Sequence, residues 1–368
     1  MDEFAVVEIP PGTTLDGADG WMLAGWARLD TLDRLDAFCH DDMAWSAREI
    51  AADFAHTTMA DHRWAVLVSA DEPRVPRACV KVDLPTRDNT NLAEISVLVE
   101  PAWRRQGLGT QALAWAEGIA TASGRTMWLS YIEAGLPDPS RPQVSAPEGG
   151  SIAADLPGWR FAQRHGYVLE QIERFSALEL PLDPAQVAAW MTEVGAHSDG
   201  YRLHTWVGDI PHEWRAGYAA LLGSFNTAAP LAGLAVEDEV WDEARVQDML
   251  DHTAARGRVG INTAAEHIAT GTLVAVTELG YPAAPRTIAF QGLTLVTPAH
   301  RGHRLGLAVK LANLAELARR RPDVVRIYTS NAAENAPMLA INIQLGSHWA
   351  GVLPILQKRV GVAPVDVG

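Results

Sequence analysis

Two stretches of this chain repeat one another: Val99-Glu-Pro-Ala-Trp-Arg-Arg-Gln-Gly-Leu-Gly109 and Val296-Thr-Pro-Ala-His-Arg-Gly-His-Arg-Leu-Gly306, each residue of the second standing 197 positions after its counterpart. Each stretch follows an apolar, strand-like run and opens a helix-like one. A strand, a turn bearing Gly and Arg, and a helix start aim unpaired backbone N–H groups, a helix dipole and fixed cations at one point. Such a turn cradles a phosphate. Two of them imply two related modules in one chain.

The length of 368 residues agrees, since it exceeds what one ordinary core serves. We expect an N-terminal module over residues 1–180, a linker over 181–200 and a C-terminal module over 201–368. In the first module the patterning predicts a strand at 4–9, helices at 23–40 and from the Ser46-x-x-Glu49 capping pattern, and strands at 64–69, 78–84 and 93–99. After the repeated loop come a helix to residue 123 and a strand at 126–132. An aperiodic Pro/Gly/Ser-rich loop over 134–158, a short helix at 161–165, and strands at 167–172 and 175–180 complete the half.

The second module repeats that order, with helices at 213–225 and 241–255 and strands at 259–263, 272–279 and 288–296. Its loop precedes a helix with Leu307, Leu311, Leu314 and Ala318 on one face, a strand at 324–329, a helix at 335–344 and terminal strands. Three strands, a loop and a helix in this sequence describe an α/β (α+β) fold with a mixed central sheet, not a doubly wound one.

A net charge of −15 argues against nucleic acid or an anionic membrane as partner and favours a cationic one. Acidic residues at the N-terminus and the lack of a membrane-length apolar run point to the cytoplasm. Cys39 and Cys79, too few for a disulfide framework, read as buried thiols.

Taken together, the two loops and the strand order resemble the GNAT superfamily of N-acetyltransferases, in the tandem arrangement of actinobacterial proteins. The family's acyl-CoA loop, Arg/Gln-x-x-Gly-x-Gly/Ala, is met by Arg104-Arg105-Gln106-Gly107-Leu108-Gly109, with Thr110 opening the helix. In the second copy, Arg301-Gly302-His303-Arg304-Leu305-Gly306-Leu307, Arg304 stands where the first glycine belongs. Either the cradle is lost there, or Arg304 adds a cation and Gly302 supplies the backbone freedom.

The resemblance implies acetyl-CoA as co-substrate, no metal, and direct attack by the amine of a small, cationic molecule in a ternary complex, by a monomer or homodimer. It places the thioester beside Val97, Leu98 and Val99 in one module and Leu295 and Val296 in the other. Asn331 and Asn335 would meet the pantetheine arm. The family's tyrosine acid, which protonates the departing thiolate, is replaced by Ala162 and Asn342.

An alkylammonium is deprotonated to only about one part in two thousand at neutral pH, so the reaction needs a base. Glu94 matches the family's strand glutamate; its counterpart Gln291 cannot act, leaving Glu278 or Glu334 for the second module. The missing tyrosines and Gln291 also fit a non-catalytic acyl-CoA-binding protein, or one live module beside a structural one. Gly107-Leu-Gly-Thr-Gln-Ala112 matches a dinucleotide pattern, but its absence from the second copy weighs against that reading. His300 and His303, beside two arginines, suit phosphate or solvent better than metal.

Overall fold

The structure, a computed structural model, describes residues 4–224 and 230–361. The chain forms two compact units, and they are not the sequence halves 1–180 and 201–368. The first unit takes residues 4–173 together with 232–237 and 351–361; the second takes 174–224, 230–231 and 238–350.

The first unit contains β1 (Phe4–Glu8), α1 (Gly20–Phe38), α2 (Ala47–Ala55), β2 (Ala60–Ser69), β3 (Ala78–Pro85), β4 (Leu92–Val99), α3 (Leu108–Ala122) and β5 (Met127–Tyr131). A two-stranded ribbon, β6 (Gln143–Ser145) and β7 (Ser151–Ala153), precedes α4 (Pro157–Arg164). Strands β1 to β4 are antiparallel neighbours and β5 lies parallel to β4. Alternation of side chains sorts the core: Ala93, Ile95 and Trp128 pack with Leu108, Ala112 and Ala116 of α3, while Trp64, Val66 and Cys79 pack with Leu23, Trp26 and Phe54 of α1 and α2.

The boundary between units falls inside β8 (Val168–Glu179), after which α5 (Pro184–His197) leads into the second unit. There follow β9 (Tyr201–Val207), α6 (His212–Gly223), α7 (Glu243–Ala255), β10 (Arg258–His267), β11 (Thr272–Pro282), β12 (Ile288–Val296), α8 (Leu305–Arg320), β13 (Arg326–Ala332) and α9 (Ala336–Gln344). Strands β9 to β12 are antiparallel and β13 lies parallel to β12. The Leu180 N–H donates to Val325 O at 2.8 Å, at the end where β8 flanks β13.

The last strand, β14 (His348–Arg359), pairs antiparallel with β5 of the first unit through Ile355↔Tyr131 to Arg359↔Met127. That pairing is why residues 351–361 belong to the first unit.

Several expectations are corrected. Strands expected at 167–172 and 175–180 are one strand, because Ile172-Glu-Arg-Phe175 holds no turn-forming residue. The terminal strands are likewise one. The expected loop 134–158 contains the β6–β7 ribbon, turned by Gly149 and Gly150 at φ 131° and 79°. Cys79 is buried, but Cys39 is exposed, ending α1 in the left-handed conformation at φ 63°. Phe225, given to the helix after 213, lies outside the described residues. Among those described, no helix is long and apolar enough to cross a membrane.

Candidate active site

Both repeated loops sit between the fourth strand of their unit and the helix that follows. Arg105 and Gly107 take positive φ, 66° and 94°; the corresponding Gly302 and Arg304 take 87° and 56°. Glycine and arginine have exchanged places while the left-handed positions stayed. Arg304 therefore carries a conformation that costs a side-chain-bearing residue about 1–2 kcal/mol, and the loop keeps its shape. Neither α3 nor α8 has a side-chain N-cap, so their first N–H groups remain for a ligand.

The closing glycines are set by packing. A Cβ on Gly109 would stand 3.4 Å from the Phe161 ring, and one on Gly306 3.0 Å from Ile341 Cδ1.

The arginines brace these loops. Arg104 Nε donates to Val99 O at 3.2 Å and its guanidinium meets Asp36 at 2.5 Å and Asp33 at 3.4 Å. Arg301 Nε reaches Val296 O at 3.5 Å in the same way. Arg304 meets Glu193 of α5 at 2.6 Å, and His303 Nδ1 lies 3.3 Å from His197 O. His300 shares a 2.9 Å hydrogen bond with Tyr201, and its imidazolium is disfavoured by burial and by His267 and His303. Among the described residues no group of three or more His, Cys, Asp or Glu is placed to hold a metal ion.

Beyond the loops, each parallel ladder stops short. Strands β4 and β5 pair only through Leu92↔Met127, Ala93↔Trp128 and Glu94↔Leu129; β12 and β13 only from Ile288↔Arg326 to Phe290↔Tyr328. A fork opens past each last pair.

The two forks differ by one residue. Strand β4 runs in constant register along β3, but β12 bulges opposite Thr277–Leu279. The bulge reverses the alternation. Glu94, between Ala93 and Ile95 of the α3-facing core, points to the α1/α2 side. Gln291 lies opposite Leu279, which packs with Leu307 and Leu311, and so points to α8. The residue paired like Glu94 is Phe290: Asp83↔Glu94 corresponds to Gly280↔Phe290.

What the second unit offers on its α6/α7 side is Glu278. Its carboxyl accepts from Tyr218 Oη at 2.7 Å, and a Cβ on bulge residue Gly292 would lie 3.4 Å from Glu278 Oε2. Burial pushes this carboxyl above its ordinary value, the tyrosine bond opposing.

On the opposite side, a small cavity is lined by Gln291, Thr329, Ser347, Asn342 and Lys310, with Leu178, Ile327 and Leu314 as its apolar wall. Asn342 Nδ2 donates to Asn331 Oδ1 at 2.7 Å, and Asn342 Oδ1 accepts from Lys310 Nζ at 3.1 Å. Burial draws the Lys310 ammonium down to about 7. Asn335 has a local task, capping α9 through Met338 N at 3.4 Å.

In the first unit, Asp83 of β3, opposite Glu94, is fully paired. Asp83 accepts from Trp64 Nε1 at 2.7 Å and contacts His62 Nδ1 at 2.7 Å and Lys81 Nζ at 2.8 Å. Burial alone would raise its carboxyl, but Lys81 and His62 hold it far below the ordinary range. Leu234, Ala235 and Val236 cover Leu92, Met127 and Leu129, the neighbours of Glu94 on its own face. Asn89 and Gln357 anchor that segment, with Glu237 N to Asn89 Oδ1 at 2.6 Å and Ala235 N to Gln357 Oε1 at 3.0 Å.

Sequence reasoning missed Lys310 and Tyr218. Lys310 had a signal: it sits among Leu307, Leu311 and Leu314 on the apolar face of its helix. Glu133, 2.8 Å from Arg34, is pushed up to about 7 by burial and by Asp30 and Asp33, with Arg34 opposing.

Residues 26–136 match the Acetyltransferase (GNAT) family. No curated protein matches the chain. Among solved structures, a tandem GNAT protein from the clavulanic acid biosynthesis pathway, determined without acetyl-CoA, is similar at a TM-score of 0.73 and 23% identity, over 98% of this chain and 100% of that one. A GCN5-related N-acetyltransferase from Sphaerobacter thermophilus is similar at 0.61 and 17% identity, over 98% of both chains. A GCN5-related glucosamine N-acetyltransferase region of a fungal multi-domain GH3 β-N-acetylglucosaminidase reaches 0.61 at 12% identity, covering 97% of this chain and 38% of that one. The chain thus carries a domain of the acetyltransferase (GNAT) family, whose members are acyltransferases, within a fold that over nearly its whole length is that of a tandem GNAT protein.

Proposed function

We propose that the protein moves an acetyl group from acetyl-CoA to the amine of a small molecule, by direct attack in a ternary complex at the fork of the second unit. The observation that carries this reading is Glu278: a buried carboxyl beside the β12 bulge, raised from its ordinary value and held by one tyrosine hydroxyl. A base of raised pKa is matched to taking an ammonium-derived proton near neutral pH. The N–H groups at the start of α8, with Gly302 and Arg304 in left-handed positions, suit the pyrophosphate of acyl-CoA. Bound there, acyl-CoA supplies the activated thioester. The net charge of −15 favours a cationic acceptor.

In this reading the first unit holds acyl-CoA through residues 104–110 without turning it over. Its strand carboxylate Glu94 faces a side covered by residues 234–236, and its cross-strand neighbour Asp83 is tied up by Lys81 and His62. Transfer in the first unit with Glu94 as base is the competing reading, favoured by the family match to residues 26–136.

Calorimetric titration with acetyl-CoA on wild type, Gly107→Asp and Gly306→Asp, followed by an amine screen on Glu278→Gln and Glu94→Gln, tests both. Two sites, each lost with its own mutation, and turnover lost only with Glu278→Gln, are expected. Turnover lost with Glu94→Gln instead would move the reaction to the first unit; absence of acetyl-CoA binding would overturn the acyltransferase reading.

A further inference from the structure

The inference drawn here rests on acyl transfer in the second unit. When the amine nitrogen bonds to the thioester carbon, the C–S bond breaks and its electron pair leaves on sulfur, which needs a proton. Asn342, at the position where the family resemblance places a tyrosine, has an amide that gives up no proton at neutral pH.

We propose that Lys310 is the proton donor to the departing thiolate. Lys310 is 3% exposed, and among the described residues its Nζ has one hydrogen-bond acceptor, Asn342 Oδ1 at 3.1 Å. An ammonium has three N–H donors, so two remain without a protein acceptor. Burying a charged group so poorly satisfied is costly, and no packing need requires a lysine among leucines. The same helix position in the first unit is Leu113, a buried apolar residue.

The cavity beside Lys310 explains what the ammonium faces. Gln291 and Thr329, which line it, are the first residues past the last β12–β13 pair, Phe290↔Tyr328. Lys310 therefore looks into the fork from the α8 side, while Glu278 approaches from the α6/α7 side.

No described carboxylate competes for it. From β12, β13 and α9 it meets the neutral Gln291, Thr329 and Asn342. Glu278 of β11 is bound to Tyr218, Glu266 of β10 to His204 and Arg202 of β9, and Glu193 of α5 to Arg304. Burial alone lowers the ammonium to about 7, so it surrenders a proton near neutrality.

The step balances. The acceptor's ammonium first yields one proton to solvent through Glu278; the attacking amine then passes its second proton to Glu278, the Lys310 proton passes to sulfur, and as products leave Glu278 returns its proton to water while Lys310 takes one up.

The test uses free CoA and the full chain carrying Gly107→Asp, so that only the second unit binds. Thiolate ultraviolet absorbance is followed against pH. Near about pH 6.5, where Lys310 still carries its charge, the thiolate fraction of bound CoA should exceed that of free CoA about tenfold, as an adjacent cation dictates. Lys310→Met and Lys310→Gln should return ionisation to the free value, with CoA affinity changed less than about threefold and acetyl transfer slowed about 100-fold. A bound thiol that ionises at one pH in all three proteins overturns the proposal. CoA that fails to bind with Lys310 intact overturns instead the reading of the second unit on which it rests.

Discussion

Tyr218 Oη donates a 2.7 Å hydrogen bond to Glu278 Oε1, and among the described residues nothing else hydrogen-bonds that carboxyl. The phenol favours the ionised form while burial favours the neutral one, so the balance between the two sets the protonation of this carboxyl. Tyr218 is itself fully buried, and its own ionisation is pushed up by burial and by Glu278, so it stays a donor.

Tyr218→Phe removes the one contact that lowers the carboxyl. The acidic limb of kcat/KM should move to higher pH, by about 0.5–1 unit, while the plateau above it changes less than about threefold. Glu278→Gln should abolish the limb and cost about 10²–10⁴ in kcat. A limb that stays in place in Tyr218→Phe excludes Glu278 as the base.

The closing glycines should not be equally tolerant. Gly306→Ala drives a Cβ to 3.0 Å from Ile341 Cδ1, whereas Gly109→Ala makes a 3.4 Å contact with Phe161. We expect Gly306→Ala to cost about 1–2 kcal/mol by denaturant unfolding and Gly109→Ala less than about 0.5. Ile341→Val, which removes the offending methyl, should restore most of the loss.

Arg304 is held by Glu193 at 2.6 Å on a partly exposed surface. Glu193→Gln should release the cation to a bound phosphate, tightening acyl-CoA binding to the second unit about two- to fivefold at low salt, with little gain at high salt. Unchanged affinity at low salt would show that Arg304 does not meet the ligand.

For the first unit, the pH dependence of stability follows from Asp83 and His62. The folded carboxyl lies below its unfolded value, so its contribution is present above about pH 4 and lost as pH falls through the folded value. For His62, burial is outweighed by the bond and charge of Asp83, which raise it; its contribution is present at low pH and lost as pH rises through the raised value. Asp83→Asn should cost about 3–5 kcal/mol near neutral pH, with the gap to wild type narrowing below pH 4. A gap of constant size across that range would remove the ion pairs as its source.

Local rules carried much of the fold. The Ser46–Glu49 capping box forms in full, Glu49 N to Ser46 Oγ at 3.3 Å and Ser46 N to Glu49 Oε2 at 2.8 Å, because its donors and acceptors are three residues apart. The loops were legible for the same reason: strand, glycine and helix start are consecutive. The β12 bulge was not. It shows only as a register shift against β11, and that one-residue slip turned Gln291 to the wrong face and made Phe290, not Gln291, the counterpart of Glu94. Residues 232–237 and 351–361 were equally hidden, since their place in the first unit depends on partners such as Asn89 and Met127, far away along the chain.

The pairing of β14 with β5 also bears on how the molecule is made. On the ribosome, Met127–Tyr131 emerges long before its antiparallel neighbour exists, and the edge beside it stays open until Ile355–Arg359 has been made. The first unit is thus the first to be synthesised and the last to be completed, and an unpaired strand edge in the meantime is a template for wrong pairing. Synthesis of Ile355–Arg359, rather than of the first half, is the event that closes the first unit.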